Sequence, residues 1–227
     1  MDAALIARKA GDGTPWLRTR PGGGWKQHQR EQMQELAFAE MLAESGVKLI
    51  QYRDKQASSR LLFEASSNLI SRMRPVGCRV IVNDRADVAV AAGADGVHVG
   101  QEDLAVEQAR QICGSGRWVG VSTHDLAQLE QAARSTADYV AVGPIFATTT
   151  KENPDPVVGL DFIREARRRT TKPIVAIGGI TLERAADVYR AGADSVAVIS
   201  DLVNAPDPGA RAQAYLSLAA RVERKRK

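Results

Sequence analysis

The chain has 227 residues, 44% hydrophobic and 26% charged, with two cysteines and a formal net charge of +4, which is long enough to bury one large core. No apolar run reaches the ~20 residues of a membrane-spanning helix, the N-terminus shows no secretory apolar segment, and Cys78 and Cys113 carry no metal-ligand spacing, so the expectation is a cytoplasmic, single-domain protein with reduced cysteines and no membrane partner. The positive excess gathers in Arg167-Arg168-Arg169 and in Arg221–Lys227, read as a solvated helix face and a solvated tail rather than a nucleic-acid surface.

Taken in chain order, Ala4–Ala7 can form a short first strand, and Gly11–Gly24 is rich in turn formers without a period. From Arg30 the apolar residues Met33, Leu36, Ala37, Met41 and Leu42 recur at helical spacing, and Gly46 closes the run. Strands are then predicted at Val47–Tyr52, Arg79–Val82, Gly96–Val99, Trp118–Val121, Tyr139–Val142, Ile174–Ile177 and Val196–Ile199. Helices are predicted between and after them at Leu61–Met73, Ala86–Ala92, Leu104–Cys113, Leu126–Ala133, Leu160–Arg169, Leu182–Ala191 and Ala210–Val222. Pro173 suits the first residue of a strand buried on both faces, and Gly192 can stop the helix before it.

Strands alternating with helices imply a parallel sheet. An internal echo refines this: Ser45-Gly46-Val47-Lys48, Ala92-Gly93-Ala94-Asp95, Ser135-Thr136-Ala137-Asp138 and Ala191-Gly192-Ala193-Asp194 each close a helix and open an even-numbered strand. Such βαβα quarters predict an α/β fold of the (β/α)8 barrel type with an atypical first strand, the echoed turns lying on the stability face. The expected division is an N-terminal segment 1–28, a barrel 29–222 and a basic tail 223–227. An open doubly wound sheet is the runner-up, and it would carry a glycine-rich loop after its first strand, where none is clear.

The polar and glycine residues gather at the opposite strand ends. Gln51-Tyr52-Arg53-Asp54-Lys55, Asn83-Asp84-Arg85, Gly100-Gln101-Glu102-Asp103, Ser122-Thr123-His124 and Thr148-Thr149-Thr150-Lys151 all follow strands. Cations beside two separated carboxylates suit a metal-bound polyphosphate, because Mg²⁺ takes one or two carboxylates together with phosphate oxygens and water. Asp84 and Asp103 read either as those ligands or as helix N-caps, and Arg53 and Lys55 either as anion contacts or as an exposed network with Asp54. After the seventh strand Gly178-Gly179 frees the backbone, and the amides after Ile199 can open a short helix, so two neighbouring strand ends make a phosphate cradle. The stretch from Thr148 to Lys151 sits in a long loop of the kind that forms a lid.

In register, Gln51-Tyr52-Arg53-Asp54-Lys55, Val82-Asn83-Asp84, His98-Val99-Gly100-Gln101-Glu102-Asp103, Gly120-Val121-Ser122-Thr123-His124, Gly143-Pro144-Ile145-Phe146, Thr148-Thr149-Thr150-Lys151, Ile177-Gly178-Gly179-Ile180 and Ile199-Ser200 resemble the thiamine phosphate synthase family. Two features depart from that pattern: no aromatic-rich first strand is found, and Ala147 stands where the lid usually has proline. The resemblance implies an Mg²⁺-dependent transferase joining hydroxymethylpyrimidine diphosphate to thiazole phosphate. By the same resemblance Asp84 and Asp103 would bind Mg²⁺, and Arg53, Lys55, Asn83, Ser122 and Lys151 would hold the diphosphate. Gln51 would face the pyrimidine, while Thr148, Thr150, Gly179, Ile199 and Ser200 would hold the thiazole phosphate. The alternatives are a thiazole tautomerase, in which His124 would transfer a proton, and a non-catalytic thiazole or thiamine phosphate-binding barrel.

Overall fold

The computed structural model describes residues 4–5, 25–148 and 155–226. In chain order these form β1 (Ala4–Leu5), α1 (Trp25–Glu44), β2 (Leu49–Tyr52), α2 (Ser59–Met73), β3 (Arg79–Asn83), α3 (Ala86–Ala92), β4 (Gly96–Val99), α4 (Val106–Cys113) and β5 (Trp118–Thr123). The order continues with α5 (Leu126–Arg134), β6 (Tyr139–Val142), α6 (Gly159–Arg169), β7 (Ile174–Ala176), α7 (Leu182–Ala191), β8 (Ser195–Ala197), α8 (Ser200–Val203) and α9 (Pro208–Arg226). The expected alternation is present, with ends shifted by a few residues. Ile199 leaves the last strand to start α8, α1 begins at Trp25, and α9 runs through the basic segment to Arg226. Of the expected first strand, Ala4 and Leu5 pair with Val196 and Ala197, and residues 6–7 lie outside the described residues.

Strands β2 to β8 pair with their sequence neighbours, all parallel. Because each crossover steps the same way and parallel crossovers share one hand, every helix falls on the same side of the sheet, which must curl away from them. A doubly wound sheet needs a reversal of strand order, and β2 to β8 have none.

Period two then sorts the side chains. Ile50, Val80, Val82, Val97, Val119, Val140, Ile174 and Val196 join the helices in the large outer core. The alternate set points to the inner face, where Leu49 and Ile81 pack with Trp118 and Ala197, and Tyr139, Ala141 and Val175 pack with Ile177.

The echoed aspartates stitch strands together at the end opposite the polar rim. Asp95, Asp138 and Asp194 each accept the amide of the preceding strand, from Val80 at 2.8 Å, Val119 at 2.7 Å and Ile174 at 2.8 Å. The arginine run lies on the outer face of α6, Arg168 and Arg169 exposed as expected, and forms ion pairs there: Arg167 with Asp194, Arg168 with Glu165, and Arg169 with Glu130 and Glu165.

Candidate active site

On the inner face the polar side chains enter near the strand ends, each one place beyond an apolar layer. Gln51 on β2, Asn83 on β3, His98 on β4 and Ser122 on β5 continue the positions of Leu49, Ile81, Gly96 and Gly120. Gln51, Asn83 and His98 are buried, so each needs a partner. Gln51 Nε2 donates to Asn83 Oδ1 at 2.5 Å, and Asn83 Nδ2 passes the chain to Asp84 Oδ1. His98 lies between Tyr139 and Ser122.

Above this floor opens a cavity of about 340 Å³. Its wall includes Gln51, Arg53, Lys55, Asn83, Asp84, Asp103, Ser122, Thr148, Gly179, Ile199 and Ser200. Eleven of the thirteen sequence-selected site residues therefore meet there, while Thr150 and Lys151 lie outside the described residues.

Asp84 holds φ of +64°, the one described non-glycine residue with positive φ. Its amide donates to the His98 carbonyl at 2.7 Å, which fixes this unusual backbone and sends the carboxylate toward Asp103 and Lys55. Neither carboxylate caps a helix: α3 starts from Arg85 and α4 from Ala105, both without a side-chain cap bond. Asp103 Oδ2 instead accepts the Gly100 amide at 2.7 Å. Burial, followed by the hydrogen bond and charge of Asp103, pushes the Asp84 carboxyl up, against the opposing pull of Lys55 and Arg53. Lys55 lies 3.5 Å from Asp84, and Asp54 accepts the Gln56 and Ala57 amides of its own turn.

This pair fits a hard divalent cation. Asp103 raises the cost of ionising Asp84, a cost that a cation beside them removes, and both side chains offer hard oxygens. Among the described residues no cluster of three or more His, Cys, Asp or Glu that could hold a metal ion is present.

Across the cavity the β7 loop carries Gly178 and Gly179 with φ of +91° and +63°. A Cβ on Gly178 would stand 2.5 Å from Pro144, and one on Gly179 would stand 2.3 Å from the Ala147 carbonyl. The glycines are thus required first by the β6 loop packed on them, whose Ile145 and Phe146 amides bond Ile177 and Gly178. Beyond them, Asp201 in α8 accepts the Leu182 amide at the start of α7 and the Tyr215 hydroxyl at 2.7 Å, locking the two helix starts side by side. Burial, and then the hydrogen bond to Asp201, pushes the Tyr215 hydroxyl far above the usual phenol range.

Sequence reading assigned no role to several wall residues. His98 sits inside an apolar strand and reads as core, yet a histidine at a period-two inner position beside polar neighbours was the available signal. Asp155 and Gln128 had no motif. Gln128 accepts the His124 amide at 2.7 Å. His124 Nδ1 donates to the Gly143 carbonyl at 2.6 Å, which leaves Nε2 3.5 Å from the Asp155 carboxylate.

Residues 26–202 match the family described as thiamine monophosphate synthase. A thiamine-phosphate synthase of Koribacter versatilis is 52% identical over 181 residues, covering 80% of this chain and 84% of that protein. One of Chloroflexus aurantiacus is 48% identical over 182 residues, covering 80% and 84%. The solved thiamine phosphate pyrophosphorylase of Pyrococcus furiosus superposes with a TM-score of 0.79 at 29% identity, covering 97% of each chain. With a family match over most of its length and relatives of this similarity, the chain belongs to the thiamine monophosphate synthase family.

Proposed function

We propose that this chain is a thiamine-phosphate synthase, a transferase that joins hydroxymethylpyrimidine diphosphate to thiazole phosphate and releases pyrophosphate. The carrying observation is that Arg53 and Lys55, beside Asp84 and Asp103, line the same cavity as Gly179, Ile199 and Ser200, and we read these two groups as its diphosphate and phosphate ends. The reading includes closure of the sheet into a single-domain (β/α)8 barrel in the cytoplasm. Support for closure comes from β1, which pairs with β8 and lies against β2.

In this reaction the pyrimidine methylene–oxygen bond breaks with its electron pair leaving on diphosphate, and the thiazole nitrogen then forms the new carbon–nitrogen bond. The protein must neutralise the leaving group and hold the nitrogen in line, and no protein nucleophile is required. Arg53, Lys55, Asn83, Ser122 and Lys151 hold the diphosphate, and Gln51 meets the pyrimidine. Thr148, Thr150, Gly179 and the Ile199 and Ser200 amides hold the thiazole phosphate. Asp84 and Asp103 would hold Mg²⁺, which supplies charge neutralisation at the diphosphate. Purified protein incubated with both substrates, with and without Mg²⁺, should form thiamine phosphate only with the metal; no product under either condition rejects the reading.

His124 favours a second reading. Its Nε2 beside Asp155 is set as a base is in a tautomerase, and that activity would not use Asp84 and Asp103. His124→Ala should remove part of synthase turnover, whereas near-complete loss of thiazole tautomerisation with no synthase activity would favour the alternative.

A further inference from the structure

We infer that Tyr139 is a positioning residue which, through His98, fixes Ser122 as a hydrogen-bond donor into the cavity. This deepens the synthase reading and rests on it for its effect on turnover. The three side chains stand on the inner faces of β6, β4 and β5, so Tyr139 must cross the intervening strand to reach His98. It does so over Gly120, where a Cβ would lie 2.0 Å from Tyr139 Cζ and 2.4 Å from its hydroxyl. The missing side chain on β5 makes the crossing possible. The Tyr139 and His98 rings are stacked at 5.5 Å between centroids, Tyr139 Oη is 2.9 Å from His98 Nδ1, and His98 Nε2 is 2.9 Å from Ser122 Oγ.

The direction of each bond follows from accounting for protons. Tyr139 is 1% exposed, and burial raises its hydroxyl far above the usual phenol range, so the proton stays on oxygen. A buried O–H must donate, and among the described residues His98 Nδ1 is its acceptor. An imidazole nitrogen that accepts a hydrogen bond carries no hydrogen of its own, so the ring holds a single proton. With Nδ1 accepting, that proton is on Nε2, and Nε2–H donates to Ser122 Oγ. Ser122 has thereby accepted on the protein side, and its own hydrogen is directed to the cavity it lines. The opposite tautomer would turn Ser122 inward as a donor to His98 and present only oxygen lone pairs to an incoming phosphate. Chains of aligned donors also polarise one another, so the Ser122 hydroxyl is a stronger donor at the end of this one.

The test combines a spectroscopic and a kinetic readout. In protein labelled with ¹⁵N-histidine, long-range ¹H–¹⁵N spectra should show His98 as the Nε2–H tautomer in wild type and in Ser122→Ala, and as a mixture or as Nδ1–H in Tyr139→Phe. Tyr139→Phe should lower kcat about tenfold, the size of one hydrogen bond, with KM changed less than about twofold. In the Ser122→Ala background the same substitution should change kcat less than about twofold, because the bond it tunes is already gone. Nδ1–H in wild type, an unchanged tautomer in Tyr139→Phe, or an equal loss in both backgrounds overturns the relay. If Tyr139→Phe does not fold, His98→Gln replaces it: its amide keeps a donor toward Ser122 and should turn over about tenfold faster than His98→Leu, equal rates overturning the inference. Wild-type protein making no thiamine phosphate would reject the synthase reading, and the tautomer spectra would still decide the relay.

Discussion

Asp138 holds both backbone polar groups of Val119: the Asp138 amide donates to the Val119 carbonyl at 2.7 Å, and its Oδ2 accepts the Val119 amide at 2.7 Å. The same carboxylate pairs with Arg110, which also binds the Thr136 and Arg117 carbonyls. Asp138→Ala leaves a strand N–H and a guanidinium side without partners. We expect a loss of about 1–3 kcal/mol in urea denaturation, with an unchanged m-value and unchanged turnover per folded molecule. Asp138→Asn keeps an acceptor and should lose less. A turnover defect in folded Asp138→Ala would mean that this face is coupled to the site.

Gly120 gives a sharper test of inner-face packing. An added methyl would meet the Tyr139 ring at 2.0 to 2.4 Å, and a central strand cannot retreat, so Gly120→Ala should cost about 1–3 kcal/mol or more. Gly116, whose Cβ would meet nothing within 4 Å, is the control, and Gly116→Ala should melt within about 2 °C of wild type. Equal melting temperatures for the two variants would contradict the packing described.

What the sequence revealed and what it hid divide along a physical line. Strands such as Tyr139–Val142 and helices such as Ala86–Ala92 were legible because local apolar period decides them, and Gln51, Asn83 and Ser122 were legible because they end such strands. The inward set was not, because parity names a face only once neighbouring strands are in register, and His98 and Tyr139 then change from core filler to a hydrogen-bonded pair. Gly178-Gly179 shows a related gap. Their small size reads as room for an anion, whereas their closest neighbours are Pro144, Phe146 and Ala147 of the preceding loop, a contact that no local pattern encodes. Asp84 was ambiguous between cap and ligand until the start of α3 fell at Arg85.

His98 makes stability depend on acid. Its pKa is about 4 in the fold against 6.5 when exposed, so between these values the unfolded chain binds more protons and stability falls as pH falls. The contribution is fully present above about pH 6.5 and is lost toward pH 4, totalling about 3 kcal/mol. Urea midpoints of wild type and His98→Gln across this range should therefore differ in slope, with wild type declining more steeply. Parallel curves would show that His98 is not held neutral by burial.

Asp84 should trade stability for function. Asparagine tolerates a φ of +64° and matches the shape of aspartate, so Asp84→Asn removes charge with little strain. In metal-free buffer the variant loses the crowding of two carboxyls and should melt at or above the wild-type temperature, although Lys55 also loses its partner. A ligand that binds only the folded state adds stability as its concentration exceeds its dissociation constant, so Mg²⁺ with diphosphate should raise the wild-type melting temperature and leave the variant nearly unmoved. Turnover should fall by about 10²–10³-fold, the scale of a lost charge-stabilising group at a developing anion. Calorimetric melts with and without Mg²⁺ and diphosphate, set beside steady-state rates, measure both. A variant that keeps the Mg²⁺-dependent melting shift while losing turnover would move the metal away from Asp84, and one that keeps turnover would reduce Asp84 to holding the β3 turn.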